Sequence, residues 1–253
     1  MASHALLEAR DLVKRYDGRT VVSRLGFDVY RGEIVGLLGR NGAGKTTSFR
    51  IAVGMIDPEE GQVFFDGQDV TRLPMYKRAQ LGMGYLSQEP SVFQRLTVEQ
   101  NLLAILETMR HLSRADRRKA ALELITQFGL QTQAHQEART LSGGERRKLE
   151  IARALISNPK LIFLDEPFSG VDPIAVQGLQ REILNLRNRG IAILLTDHNV
   201  RETLTVTDRS YIIDQGRHLA SGTPKELINN PLVRETYLGT TFEGNEFGTP
   251  RPN

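Results

Sequence analysis

The chain has 253 residues, 40% hydrophobic and 25% charged, enough for one large α/β domain or a main domain with a smaller lobe. Basic residues number 33 against 30 acidic ones. So small an excess does not argue for nucleic acid, and no basic–aromatic run suits a nucleic-acid strand. There is no cysteine, which excludes disulfides and thiolate metal sites.

The opening MASHALLEARDLVKRY lacks the apolar core of a signal peptide. The longest apolar runs, LIFL and IAILL, fall far short of the ~20 residues of a membrane-spanning helix. A soluble chain is expected, reaching any membrane through a partner. LLEARDLVKRY and VVSRLGFDVYRGE read as strands of a small, partly antiparallel sheet. EIVGLLG (33–39) is continuously apolar, the pattern of a strand buried on both faces, and KTTSFRIAVGMI follows as a helix. GQVFFDGQDVT is a hairpin turning on Asp-Gly. Residues 97–128 then change to helical periodicity, in two helices predicted to open on capping boxes at Thr97/Gln100 and Ser113/Asp116. With a helix beginning near Ser142, they form a helical lobe of about 90–157 inserted in the α/β chain. KLIFLDE, a helix over 173–189, IAILLTD, a helix over 199–206 and RSYIID alternate as parallel strands with crossover helices. GRHLASG is one more short strand, and Thr223-Pro224 starts a late helix. The Gly- and Pro-rich end, 243–253, is expected to be a flexible tail.

GRNGAGKT, from Gly39 through Arg40, Asn41, Gly42, Ala43, Gly44 and Lys45 to Thr46, fits G-x-x-x-x-G-K-[ST] between a buried strand and a helix. Its glycines let backbone N–H groups converge on phosphates, Lys45 reaches the β/γ oxygens, and the Thr46 hydroxyl is placed for Mg²⁺. LIFLDE puts Asp165 at a strand end, where it would hold the same metal, and Glu166 beside it, where it would deprotonate an attacking water. Gln88, in YLSQ, lies at another strand end, within reach of both metal and water. His198 follows a buried strand and is either a helix cap or a donor to the γ-phosphate. Tyr16 either stacks on adenine or packs at the sheet edge.

LSGGE (141–145) is a second anion-type motif. Ser142 and Glu145 make a capping box, whereas two consecutive glycines suggest backbone bared for a phosphate. Without a Lys-Ser/Thr pair this is half a site. Ser142, Gly143 and Gly144 are therefore expected to grip the γ-phosphate bound by a second copy, in a head-to-tail pair.

In this order, GRNGAGKTT (which adds Thr47), Gln88, LSGGE, LIFLDEP, SGVD and His198 resemble the ATP-binding subunits of ABC transporters over nearly the whole chain. The resemblance implies a single ABC ATPase domain over 1–253. It would have a mostly parallel core sheet, an N-terminal antiparallel β subdomain and the inserted helical subdomain. It also implies an ATP-sandwich homodimer with Asp172 of SGVD at its interface. YLSQEPSVFQRLTVEQNL, LDEPFSGVDPIAV, TDHNVRETLTVTDRSYII and YLGTTF are similar to the branch that drives lipopolysaccharide export. That likeness implies ATP hydrolysis on the cytoplasmic face of the inner membrane, coupled to permease subunits and without contact with the cargo. Phe93 is then a candidate permease contact. The ATPase of a branched-chain amino-acid importer is the nearest alternative; a soluble ABC ATPase acting on DNA or ribosomes is a more distant one. Glu166 and His198 together disfavour a non-hydrolysing subunit.

Overall fold

The computed structural model describes residues 4–89 and 91–238. An N-terminal antiparallel sheet has the order β2-β1-β4-β5, from β1 (Leu7–Tyr16), β2 (Arg19–Val29), β4 (Glu60–Phe65) and β5 (Gln68–Asp69). Both its hairpins turn on Asp-Gly pairs with positive φ: Asp17 and Gly18 at 47° and 76°, Asp66 and Gly67 at 52° and 80°. Two such residues match the right-handed twist of the flanking strands.

The main sheet runs β10-β9-β3-β8-β7-β6, built from β3 (Ile34–Gly39), β6 (Met83–Leu86), β7 (Leu161–Asp165), β8 (Ala192–Thr196), β9 (Arg209–Asp214) and β10 (Arg217–Gly222). Its neighbours pair in parallel except β9 with β10, as the strand–helix alternation predicts. Every residue of β3, β7 and β8 is buried. Alternate residues serve two cores, with Ile162, Leu164, Ile193 and Leu195 facing the helical lobe. Leu161, Phe163, Ala192 and Leu194 face the antiparallel sheet and α1 (Lys45–Val53). Strands covered on both sides have no solvent face, so their sequences read as unbroken apolar runs.

The lobe contains α3 (Val98–Leu106), α4 (Arg114–Gln127) and α5 (Gly143–Leu155), whose apolar faces join the first of those cores. Thr97 and Gln100 form the full capping box. At Ser113 only half forms: its hydroxyl takes the Asp116 amide at 3.1 Å, while the Asp116 carboxylate accepts that hydroxyl at 2.6 Å instead of the Ser113 N–H. Aspartate is one methylene shorter than the glutamate a full box uses. Helix α3 also stops at Leu106, short of the periodicity that runs to Leu112. There Thr108 aims both its amide and its hydroxyl at the Ile105 carbonyl, a local bond that competes with the helix ladder.

The remaining helices are α2 (Met75–Gln80), α6 (Pro173–Asn188), α7 (Val200–Val206), α8 (Pro224–Asn229) and α9 (Pro231–Val233), the last running into a π-helical turn at Arg234–Leu238. The two sheets are pinned together at Arg209. Its guanidinium donates to Glu33 and Asp28 and, at 2.6 Å, to the Tyr211 hydroxyl. Of the YLGTTF segment only Tyr237 and Leu238 fall within the described residues, and the expected tail at 243–253 lies outside them.

Candidate active site

Strands β3, β6, β7 and β8 all end on one edge of the parallel sheet. The segments leaving that edge carry the phosphate loop, Gln88, Asp165 with Glu166, and His198. In open α/β sheets the crevice beyond the strand carboxyl ends is where ligands bind.

The phosphate loop requires its glycines for separate reasons. Gly39, Gly42 and Gly44 have φ of 155°, 79° and 99°. A Cβ on Gly39 would lie 2.2 Å from the Ile213 carbonyl oxygen, and one on Gly44 would lie 2.6 Å from that of Val21, whereas Gly42 faces open space. Lys45 opens α1 and curls back over the loop, donating to the carbonyls of Gly39 at 2.7 Å and Arg40 at 3.1 Å. Burial lowers its pKa, against the pull of Glu166 and Asp197. No acidic residue occupies the first turn of α1, so none of the helix's own carboxylates competes for its leading N–H groups. Thr46 is exposed on that turn.

Asp165 is buried at the end of β7 and accepts from the Tyr85 hydroxyl at 3.3 Å; burial raises its pKa. Glu166 adopts φ 46°, a left-handed conformation uncommon for a side chain of its size. Its amide is anchored to the Thr196 carbonyl at 2.7 Å. Gln88 Nε2 donates to Glu166 Oε2 at 2.9 Å, and His198 Nδ1 lies 3.3 Å from the same oxygen. Gln88 and His198, read from separate strand ends, therefore converge on the Glu166 carboxylate.

The cleft over the phosphate loop is lined by Gly39, Arg40, Asn41, Gly42, Ala43 and His198, with Arg19, Thr20 and Val21 of β2 forming one wall. Tyr16 pairs with Arg19 across the β1–β2 turn but is not among the lining residues; its ring is 46% exposed, 5.6 Å below the Lys14 ammonium. Ser142 and Gly144 are not in this cleft either. Gly143 instead borders a separate depression with Gln88, Glu166, Ser169 and Gly170. The Ser142 hydroxyl takes the Glu145 amide at 3.3 Å and the Glu145 carboxylate accepts the Ser142 N–H at 2.9 Å, so the capping box is complete. A Cβ on Gly144 would lie 2.8 Å from Ala175 Cβ of α6, whereas one on Gly143 would meet nothing nearer than 3.8 Å. The bare backbone at Gly144 thus has a packing reason of its own, apart from any phosphate. Asp172 caps α6 by accepting from the amides of Ile174 and Ala175.

Several residues at this edge escape sequence reasoning. Tyr237 brings the π-helical turn into the phosphate-loop cleft, beside Asp214 and Gln215 of the β9–β10 turn; burial pushes its phenol up to about 12. On α5, Arg147 and Glu150 form a buried pair at 2.8 Å. They brace the segment around Gln88, Arg147 through the Ser87 carbonyl and Glu150 through the Ser91 amide, each at 2.8 Å. Charges on the buried stripe of an amphipathic helix are the signal that could have found them. Asp197, a carboxylate directly after a wholly buried strand, carries a similar signal.

A phosphate loop at the head of a parallel sheet, with Asp-Glu at the end of a neighbouring strand, defines a P-loop nucleoside-triphosphatase. The family described as ABC transporter matches residues 22–169, and the branched-chain amino acid ATP-binding cassette transporter family matches 217–243. The lipopolysaccharide export system ATP-binding protein LptB of Haemophilus influenzae is 51% identical, covering 94% of this chain and 99% of that one. Its Escherichia coli K12 counterpart is 49% identical over the same shares. Among solved structures, the ADP form of an ATP-binding cassette of an ABC transporter superposes with a TM-score of 0.83 at 27% identity, covering 93% of this chain and 99% of that one. The chain belongs to the ATP-binding subunits of ABC transporters and is the ATP-hydrolysing component of such a system. The antiparallel N-terminal sheet and mostly parallel core sheet are those of this fold. Among the described residues no helix is long and apolar enough to cross a membrane.

Proposed function

We propose that the chain powers lipopolysaccharide export as a nucleotide-closed homodimer on the cytoplasmic face of the inner membrane. The observation that carries this reading is the end-to-end 51% identity to the Haemophilus influenzae export protein. In each site the amides of Gly39 to Thr47 cradle the phosphates, Lys45 leaves its carbonyls for the β/γ oxygens, and Tyr16 stacks on the adenine. Gln88 and His198 hold one oxygen of Glu166, leaving the other to take a proton from water as that water attacks the γ-phosphorus and the bond to ADP breaks. His198 presents its second nitrogen to the γ-phosphate, and Ser142, Gly143 and Gly144 of the opposite copy close over it, with Asp172 at the seam.

The residues fit a Mg²⁺ ion. Asp165 is a buried carboxyl whose charge a cation would favour, Thr46 has an exposed hydroxyl, and Gln88 commits only its amide nitrogen to Glu166. Bound there, the ion would neutralise charge on the β- and γ-phosphate oxygens. Phe93, 46% exposed and 4.6 Å from the Arg153 guanidinium, offers an apolar ring to a permease helix.

Purifying the tagged chain from its native membranes tests the reading. Two large permeases with a single-span periplasmic partner are expected. The match of residues 217–243 to a branched-chain amino-acid family favours the importer as second reading, and co-purification with a periplasmic amino-acid-binding protein would establish it instead.

A further inference from the structure

Asp197 lies wholly buried one residue past β8, and its two oxygens are engaged by different loops. Oδ2 accepts from the Phe168 amide at 2.8 Å, 29 positions away in sequence. Oδ1 accepts from the Asn199 amide at 2.9 Å and lies 3.5 Å from His198 Nδ1. Two residues before Phe168, the Glu166 amide is fixed to Thr196. The segment that carries Glu166 is thus stitched at two points to the segment that carries His198.

A cap for the Asn199 amide alone would need only a hydroxyl or an amide oxygen. Burying a carboxylate works against its charge, and the raised pKa of Asp197 reflects that, with the Asn199 and Phe168 amides opposing it. What a carboxylate adds is two acceptor oxygens and no donor. An asparagine of the same shape has one acceptor, and its NH₂ would face one of the two N–H groups.

We propose that Asp197 is a positioning residue for ATP hydrolysis, locking the Glu166 loop to the His198 loop so that both shift as one body when nucleotide binds. The proposal rests on the roles assigned above to Glu166 and His198. Asp197 touches no reacting atom. It acts by keeping the base and the γ-phosphate contact in register and by passing that register to Asp172 at the start of α6.

Amide hydrogen exchange on the wild-type chain, with and without magnesium and the non-hydrolysable analogue AMP-PNP, tests the lock directly. Segments 166–172 and 197–201 are expected to gain protection together; a response in one alone, or in neither, overturns the proposal. Asp197→Asn should lower kcat for ATP by about tenfold or more while KM moves by less than about twofold. A smaller loss, or a KM that rises in step, also overturns it. If that variant does not fold, the wild-type exchange experiment decides alone. Residual turnover in Glu166→Gln would remove the base assignment and leave the coupled exchange intact, so the two failures are distinguishable.

Discussion

Glu166 concentrates the chemistry of the site in one side chain. It sits in a left-handed backbone conformation that the Thr196 carbonyl holds in place, and two other residues fix one of its oxygens. Strain of this kind persists where the surroundings over-determine the conformation, and it clusters at functional positions. Glu166→Gln keeps the shape and removes the base. ATP hydrolysis should fall by about 100-fold or more, with nucleotide affinity retained. A turnover assay paired with nucleotide titration checks this, and substantial residual hydrolysis would mean another group takes the proton. Arg78 makes the contrasting case of a charge buried for architecture. Its guanidinium donates to the carbonyls of Ile51, Ala52, Thr71 and Leu73, with no carboxylate bonded to it among the described residues, and burial lowers its pKa to about 10.

At the scale of elements, α5 separates what local sequence dictates from what packing dictates. Its capping box was legible because Ser142 and Glu145 are three residues apart. The contact of Gly144 with Ala175 was not, because it arises only when α5 and α6 cross. Gly144→Ala should destabilise the chain by about 1–3 kcal/mol through overpacking, while Gly143→Ala should be neutral or mildly stabilising. Thermal unfolding of the pair, with Ala175→Gly as a rescue of Gly144→Ala, separates packing from phosphate binding. Hydrogen bonds from Ser142, and a further one from Gln133, hold the Glu145 carboxylate below its ordinary 4.5. A lowered carboxylate pKa gives stability that is fully present above 4.5 and is lost as pH falls through the lowered value. The difference in unfolding temperature between wild type and Glu145→Gln should therefore shrink as pH drops below that point; a gap independent of pH would contradict it. The same division explains the rest of the site. Phosphate loop, Asp165, Glu166, Gln88 and His198 were readable because each lies at the end of an apolar strand or within two residues of it. Asp197 and Arg147 leave only the weaker sign of a charge at a buried position, and Tyr237 reaches the cleft through tertiary packing, of which a sequence window carries no record.

For the whole molecule, the decisive geometry is that α5 does not reach the chain's own phosphate loop. Gly143 opens beside Gly170, and Ile174, two residues past Asp172, is 85% exposed. An apolar side chain left uncovered beside a bare helix start is suited to burial against another copy. Glu166→Gln with saturating Mg·ATP should therefore double in mass on size-exclusion chromatography with light scattering and return to a single chain when the nucleotide is removed. A mass unchanged by nucleotide would refute the paired site.

The ionic knot at Arg209 limits where such closure can be felt. It joins Asp28 and Glu33, at the ends of β2 and β3, to Tyr211 of β9, so the sheet that carries Tyr16 and the sheet that carries the phosphate loop travel as a single plate. A hinge between them would break several charge-assisted bonds at once. The helical lobe meets that plate through Arg147 and Glu150 of α5, at the Ser87 carbonyl and the Ser91 amide. Movement driven by nucleotide is then expected in the helical arm rather than between the two sheets.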